Sequence, residues 1–149
     1  MSPQPKLPTE LREQVRNRAE HLCEYCHTSE SWQYVKFTLD HVVPLSEGGS
    51  ETSDNLALAC FHCNRRKSNN QTATDPDSGV VVPLFNPRTQ IWSEHFCWSV
   101  DRISVVPKTA IGRATVALLE LNRERILKIR RADVEVGRHP PKEDSILIL

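Results

Sequence analysis

The sequence predicts a small α+β protein whose core is stapled by a four-cysteine zinc site, with a helix before that core and a small β plus long-helix extension after it. Three observations predict it. Two Cys-x-x-Cys knuckles, Cys23/Cys26 and Cys60/Cys63, offer four thiolates to one tetrahedral ion. The stretch between and after the knuckles reads as strand, loop, strand and short helix. An amphipathic helical stripe precedes the first knuckle, and a second helical pattern lies near the end of the chain. A four-cysteine iron site or a redox dithiol would share part of the cysteine pattern. The fifth cysteine, Cys97, reads as a small buried hydrophobe.

Each element has its own justification. Residues 1–8 are proline-rich and are expected to fray. Thr9 reads as an N-cap, with Glu10 in the first turn and Leu11, Val15, Ala19 and Leu22 on one face. The opposite face, with Arg12, Arg16 and Arg18, reads as solvated surface. Tyr34 to Leu39 is rich in β-branched and aromatic residues and predicts a strand ending at Asp40-His41. Pro44 and Gly48-Gly49 then force a loop. Leu56 to Ala59 is a second strand delivering the second knuckle, and a helix over 64–70 follows Cys63.

The polar, turn-rich residues 71–79 mark a boundary between a core over 9–72 and an extension over 80–133, with 1–8 and 134–149 as tails. In the extension, residues 80–82 predict a strand and Asn86-Pro87 a turn. Trp92, Glu94, Phe96, Trp98 and Val100 alternate with Ser93, His95, Cys97 and Ser99, which predicts a strand with an aromatic face, paired by 103–106. Thr109 caps a final helix of about twenty residues. Ile111, Ala114, Leu118 and Leu121 line one face of it, and Arg113, Arg123, Arg125, Lys128, Arg130 and Arg131 make it basic. The closing Ile-Leu-Ile-Leu has no partner evident in the sequence.

Composition limits the function. The 149 residues carry 19 Lys and Arg against 19 Asp and Glu, so nucleic acid cannot be held by bulk charge and local patches or a metal must do it. Four thiolates and one zinc ion would add about −2 to that balance. No apolar run approaches the ~20 residues of a membrane span. The first residues lack the layout of a secretory leader, which predicts a cytoplasmic protein. An odd cysteine count in that compartment argues against a disulfide scaffold.

The chemistry sits between the knuckles, at Asp40-His41, Asn55 and Asn64, with Pro44, Gly48-Gly49, Leu56 and Cys-Phe-His-Cys-Asn-Arg-Arg-Lys at 60–67. This combination, over residues 16–70, resembles the zinc-bearing branch of the HNH endonuclease family. The resemblance implies a ββα-metal core and a metal-dependent DNA endonuclease of bacterial or phage-like origin, acting on double-stranded DNA and leaving 5′-phosphate and 3′-hydroxyl ends. His41 would be the general base. Asp40 and Asn64, both oxygen donors, would hold one Mg²⁺ or Mn²⁺. Asn55 would brace the His41 loop, and Cys23, Cys26, Cys60 and Cys63 would hold structural Zn²⁺. Lys67 matches the family motif and, with Arg65 and Arg66, suits phosphate contacts. His62 is a rival to Asn64 as ligand, while His21 and His27 read as surface.

Adjacent strand residues point to opposite faces, so Asp40 and His41 converge only where the strand ends or bulges. The segment from Pro83 through Trp98, with Gly112-Arg113-Ala114-Thr115, resembles an extension of bacterial, notably cyanobacterial, HNH proteins. Its aromatics predict a small core; alternatively Arg88, His95 and the basic helix form a DNA-backbone clamp. Near-neutral charge leaves room for a homodimer or a partner subunit. The rival function is a zinc-stabilised nucleic-acid-binding module that does not cut.

Overall fold

A computed structural model describes residues 7–148; the predicted fraying of the N-terminus falls mostly on residues outside it. Helix α1 spans Thr9–Arg18, with Pro8 at the cap position. Thr9 lies one residue inside, and its hydroxyl accepts a hydrogen bond from Arg12 instead of capping the backbone. Val15 is fully buried. The arginine face is less solvated than its sequence suggests. Arg16 Nη2 donates to Phe37 O at 2.8 Å, and Arg18 donates to Ser53 O and Leu56 O at 2.9 and 2.7 Å. These bonds clip α1 across the strands that follow.

Strands β1 (Thr38–His41) and β2 (Leu56–Ala59) pair antiparallel, with Asp40 opposite Ala57 and His41 opposite Leu56. β1 begins four residues later than its sequence predicts, and Tyr34 and Val35 lie exposed before it. The reason is Glu30, a buried carboxylate that accepts from the Phe37 N–H at 2.6 Å and from Arg16. It thereby takes the backbone donor a longer strand would have paired.

Helix α2 (Phe61–Lys67) starts inside the second knuckle, earlier than residue 64, because Cys60 Sγ accepts from Cys63 N and acts as its N-cap. β1, β2 and α2 form the expected ββα unit.

Residues 71–79, which read as a turn-rich boundary, form half of a hairpin between β3 (Thr72–Thr74) and β4 (Val81–Pro83). Buried Asp75 ties its turn down by accepting two bonds from Arg113, each 2.9 Å. The predicted strand from Trp92 to Val100 resolves into one helical turn, α3 (Trp92–His95), and a short strand, β5 (Phe96–Trp98). Tertiary contact overrides the alternation there: Trp92 stacks on His27 with centroids 4.0 Å apart and donates from Nε1 to Tyr25 O. β5 pairs antiparallel with β6 (Val105–Pro107). Cys97 is buried, as expected.

The long final helix is two helices. α4 (Ala110–Leu119) is capped as predicted, Thr109 Oγ1 accepting from Gly112 N at 3.0 Å. The chain then turns left-handed at Glu120, φ 49°, before α5 (Glu124–Glu135). Asn122 causes the break: its amide pairs with both the N–H and the C=O of Val105, pulling the connection onto β6. Arg130, read as part of a basic face, is 2% exposed; it donates to Ile103 O and Leu121 O and lies over the Trp98 ring.

The C-terminal apolar run finds its partner at Trp98, which bridges Ile146 and accepts from Leu147 N at 2.7 Å. One cluster of buried residues runs from Val15 through Leu58 and Phe85 to Trp98 and Leu121. No helix among the described residues is long and apolar enough to cross a membrane.

Candidate active site

The four paired cysteines are buried and converge. A tetrahedral ion with metal–sulfur bonds of ~2.3 Å spaces its sulfurs by about 3.8 Å. Cys26 Sγ and Cys60 Sγ are 3.8 Å apart, and the sulfurs of Cys23, Cys26, Cys60 and Cys63 all lie within 4.8 Å of one another. The donor set and spacing fit a structural metal such as zinc. Cys97 stands outside the cluster.

The ββα unit places Asp40, His41 and Asn64 on one open pocket of about 560 Å³, together with Pro44, Leu45, Phe61 and Arg65. Asp40 and His41 are neighbours on β1, yet both line it because the strand ends at His41. His41 is 8% exposed, and its Nε2 has no hydrogen-bond partner among the described residues. The nearest carboxylate oxygen, Glu51 Oε1, is 3.6 Å away. A buried ring nitrogen without a partner is unusual, and it leaves a free site for a proton or a water.

Asn55 does not reach into this pocket. Its Oδ1 accepts from Val43 N, and its Nδ2 donates to Val43 O and Ser50 O, each at 2.9 Å. The amide thus clamps the loop leaving His41. Gly49 packs directly beneath it.

Asp40 is 4% exposed and held by two donors. The Tyr25 hydroxyl donates to Oδ2 at 2.7 Å; the Lys67 ammonium lies 3.1 Å from Oδ2 and 3.4 Å from Oδ1, and also donates to His41 O. Burial pushes the Asp40 carboxyl above its ordinary value, against the pull of Lys67 and Tyr25. Burial and the neighbouring carboxylate push the Tyr25 phenol well up, so it stays a donor. A carboxylate can accept about four hydrogen bonds. Tyr25 and Lys67 leave part of that capacity open, so Asp40 and Asn64 fit one hard divalent cation as oxygen donors.

The structure settles where several of the sequence candidates point. Lys67, expected on a DNA backbone, is 2% exposed with its charge turned inward onto Asp40, so it is not a surface phosphate contact. Arg66 is occupied by Leu118 O and Glu120. Arg65 is exposed and is the one of the three that lines the pocket. His62 turns away: its Nε2 donates to Leu119 O at 2.8 Å, which removes it as a rival to Asn64. In the second half, Arg88 is paired with Glu24 and His95 with Thr109, which leaves neither free for a clamp.

Sequence reasoning missed Tyr25, Leu45 and Phe61. Leu45 and Phe61 are 49% and 66% exposed at the pocket rim. Their exposure is a tertiary property with no sequence signal, whereas Tyr25 stood in view inside the first knuckle.

Residues 22–70 match the family model for HNH endonuclease. Among curated proteins and among solved structures there is no match.

Proposed function

Because residues 22–70 match an HNH endonuclease model, we propose that this chain is a metal-dependent DNA endonuclease that hydrolyses phosphodiester bonds. The observation that carries the reading is His41 Nε2: buried, without a partner, and on the pocket it shares with Asp40 and Asn64. His41 removes the proton from the attacking water, a role worth ~10²–10⁴-fold in rate. A Mg²⁺ or Mn²⁺ ion held by Asp40 and Asn64 would neutralise charge on the phosphate and on the leaving oxygen. Asn55 keeps the His41 loop in place, and Arg65 receives a backbone phosphate. Cys23, Cys26, Cys60 and Cys63 hold structural Zn²⁺, which braces a unit with little core of its own. The substrate is double-stranded DNA, cut to 5′-phosphate and 3′-hydroxyl ends.

One observation favours a second reading. The Lys67 ammonium already neutralises Asp40, as it would in a binding module that does not cut. Plasmid nicking with Mg²⁺ or Mn²⁺ separates the two. The expected result is nicking that EDTA and Asp40→Ala abolish and that His41→Ala lowers by about 10²–10⁴-fold while zinc content stays at wild-type level. A folded, zinc-loaded protein that binds DNA and cuts under neither metal would establish the binding module.

A further inference from the structure

Tyr25 joins two sites that the proposed function treats as separate. It lies between Cys23 and Cys26 in the first knuckle, 0% exposed, and its hydroxyl reaches Asp40 Oδ2 at 2.7 Å. The knuckle backbone that carries it is fixed on both sides. Trp92 Nε1 donates to Tyr25 O at 2.9 Å, Glu24 N donates to Leu58 O at 2.8 Å, and His27 N donates to Cys23 O at 2.8 Å.

Volume alone does not account for a tyrosine there. Phenylalanine would fill the same space without a buried hydroxyl to satisfy, and leaving such a group unpaired costs about 1–3 kcal/mol. The acceptor is 4% exposed, so water cannot readily take the phenol's place. Lys67 is a point charge within reach of both Asp40 oxygens and sets no single orientation of the carboxylate. Tyr25 touches only Oδ2 and fixes the rotation of that plane.

We propose that Tyr25 is a positioning residue that couples the cysteine metal site to the catalytic carboxylate: the metal-bound first knuckle holds the phenol on Asp40 and so sets the affinity of the Asp40–Asn64 site for its divalent ion. The inference rests on the endonuclease reading above. It gives the knuckle a second task beyond stability, because loss of its metal withdraws the donor that orients Asp40. Partners of this kind behind a metal ligand typically change metal affinity by ~10–100-fold when removed.

The test is Mn²⁺ binding to the full-length, zinc-loaded chain, followed by electron paramagnetic resonance, beside zinc content and thermal melting. Tyr25→Phe is expected to keep the wild-type zinc content and to bind Mn²⁺ about 10–100-fold more weakly. An unchanged Mn²⁺ affinity in Tyr25→Phe, with wild type binding normally, would overturn the coupling and leave the endonuclease reading intact. Wild-type protein that takes up no Mn²⁺, with or without DNA, would overturn both.

A second measurement needs no change at residue 25. Tyr34, the other tyrosine, is fully exposed, so a Tyr34→Phe protein grown on 3-fluorotyrosine carries its only fluorine at residue 25. Its ¹⁹F resonance is expected to shift on addition of Mg²⁺ to the zinc-loaded chain. A resonance that ignores Mg²⁺ overturns the proposal.

Discussion

Gly49 sits where a side chain has no room. A Cβ there would collide with the Val43 carbonyl oxygen and stand 2.8 Å from Asn55 Nδ2. Those atoms belong to the clamp that carries the loop away from His41. Gly49→Ala is therefore expected to break the Asn55–Val43 pair and to lower stability by about 1–3 kcal/mol, measured by urea unfolding. If the proposed endonuclease reading holds, DNA cleavage falls with it, since His41 leads into the displaced loop. Gly48 next to it is left-handed, φ 86°, with open space where a Cβ would stand. The two glycines of the motif thus do different things, one setting a turn and the other allowing a close approach. The spacing of Asp40, His41 and Asn64 made the candidate pocket legible, since the three line it together, and Asn55 was legible as the brace of the loop beside it. The inward turn of Lys67 was not legible: a lysine in an Arg-Arg-Lys run carries no sign of which member is buried.

Among the elements, short-range signals survived and long-range ones did not. The Thr109 cap and the β1–β2–α2 order depend on neighbouring residues, and both are present. The Trp92 strand and the single long helix failed because Trp92 is claimed by His27 and Tyr25, and Asn122 by Val105. No window of local sequence contains those partners.

The tail after α5 has a pH response of its own. His139 packs edge-on against Trp98, donates to Arg102 O, and is pushed down to about 4 by burial, with Arg130 adding to the effect. The unfolded chain protonates this histidine near 6.5. The unfolded state then binds more protons between those values, so the contribution is complete above about pH 6.5 and is lost as pH falls toward about 4. His139→Gln, which keeps a donor for Arg102, should show a shallower loss of unfolding midpoint between pH 7 and pH 5 than wild type does.

At the scale of the molecule, the cysteine site holds two short strands and a seven-residue helix that would otherwise have little to fold around. Chelating the metal, or changing Cys60 to Ser, is expected to unfold the ββα unit, visible as lost far-ultraviolet dichroism and protease resistance. Retained structure in the metal-free chain would show that the aromatic cluster of the second half suffices. That cluster does press on the knuckles directly. Asp144, eleven residues from the last turn's Asp133, accepts from both His27 and Trp98, and Trp92 covers His27 from the other side.

The same joint limits what recombination could do with this chain. Grafting another second half onto the ββα unit would strip the first knuckle of the tryptophan above it, the carboxylate beside it, and the Arg88 partner of Glu24. A transplanted sequence would have to bring matching groups for all three. A change at residue 27, 92 or 144 in one lineage is therefore expected to be answered by a change at another of the three, which an alignment of homologues would check.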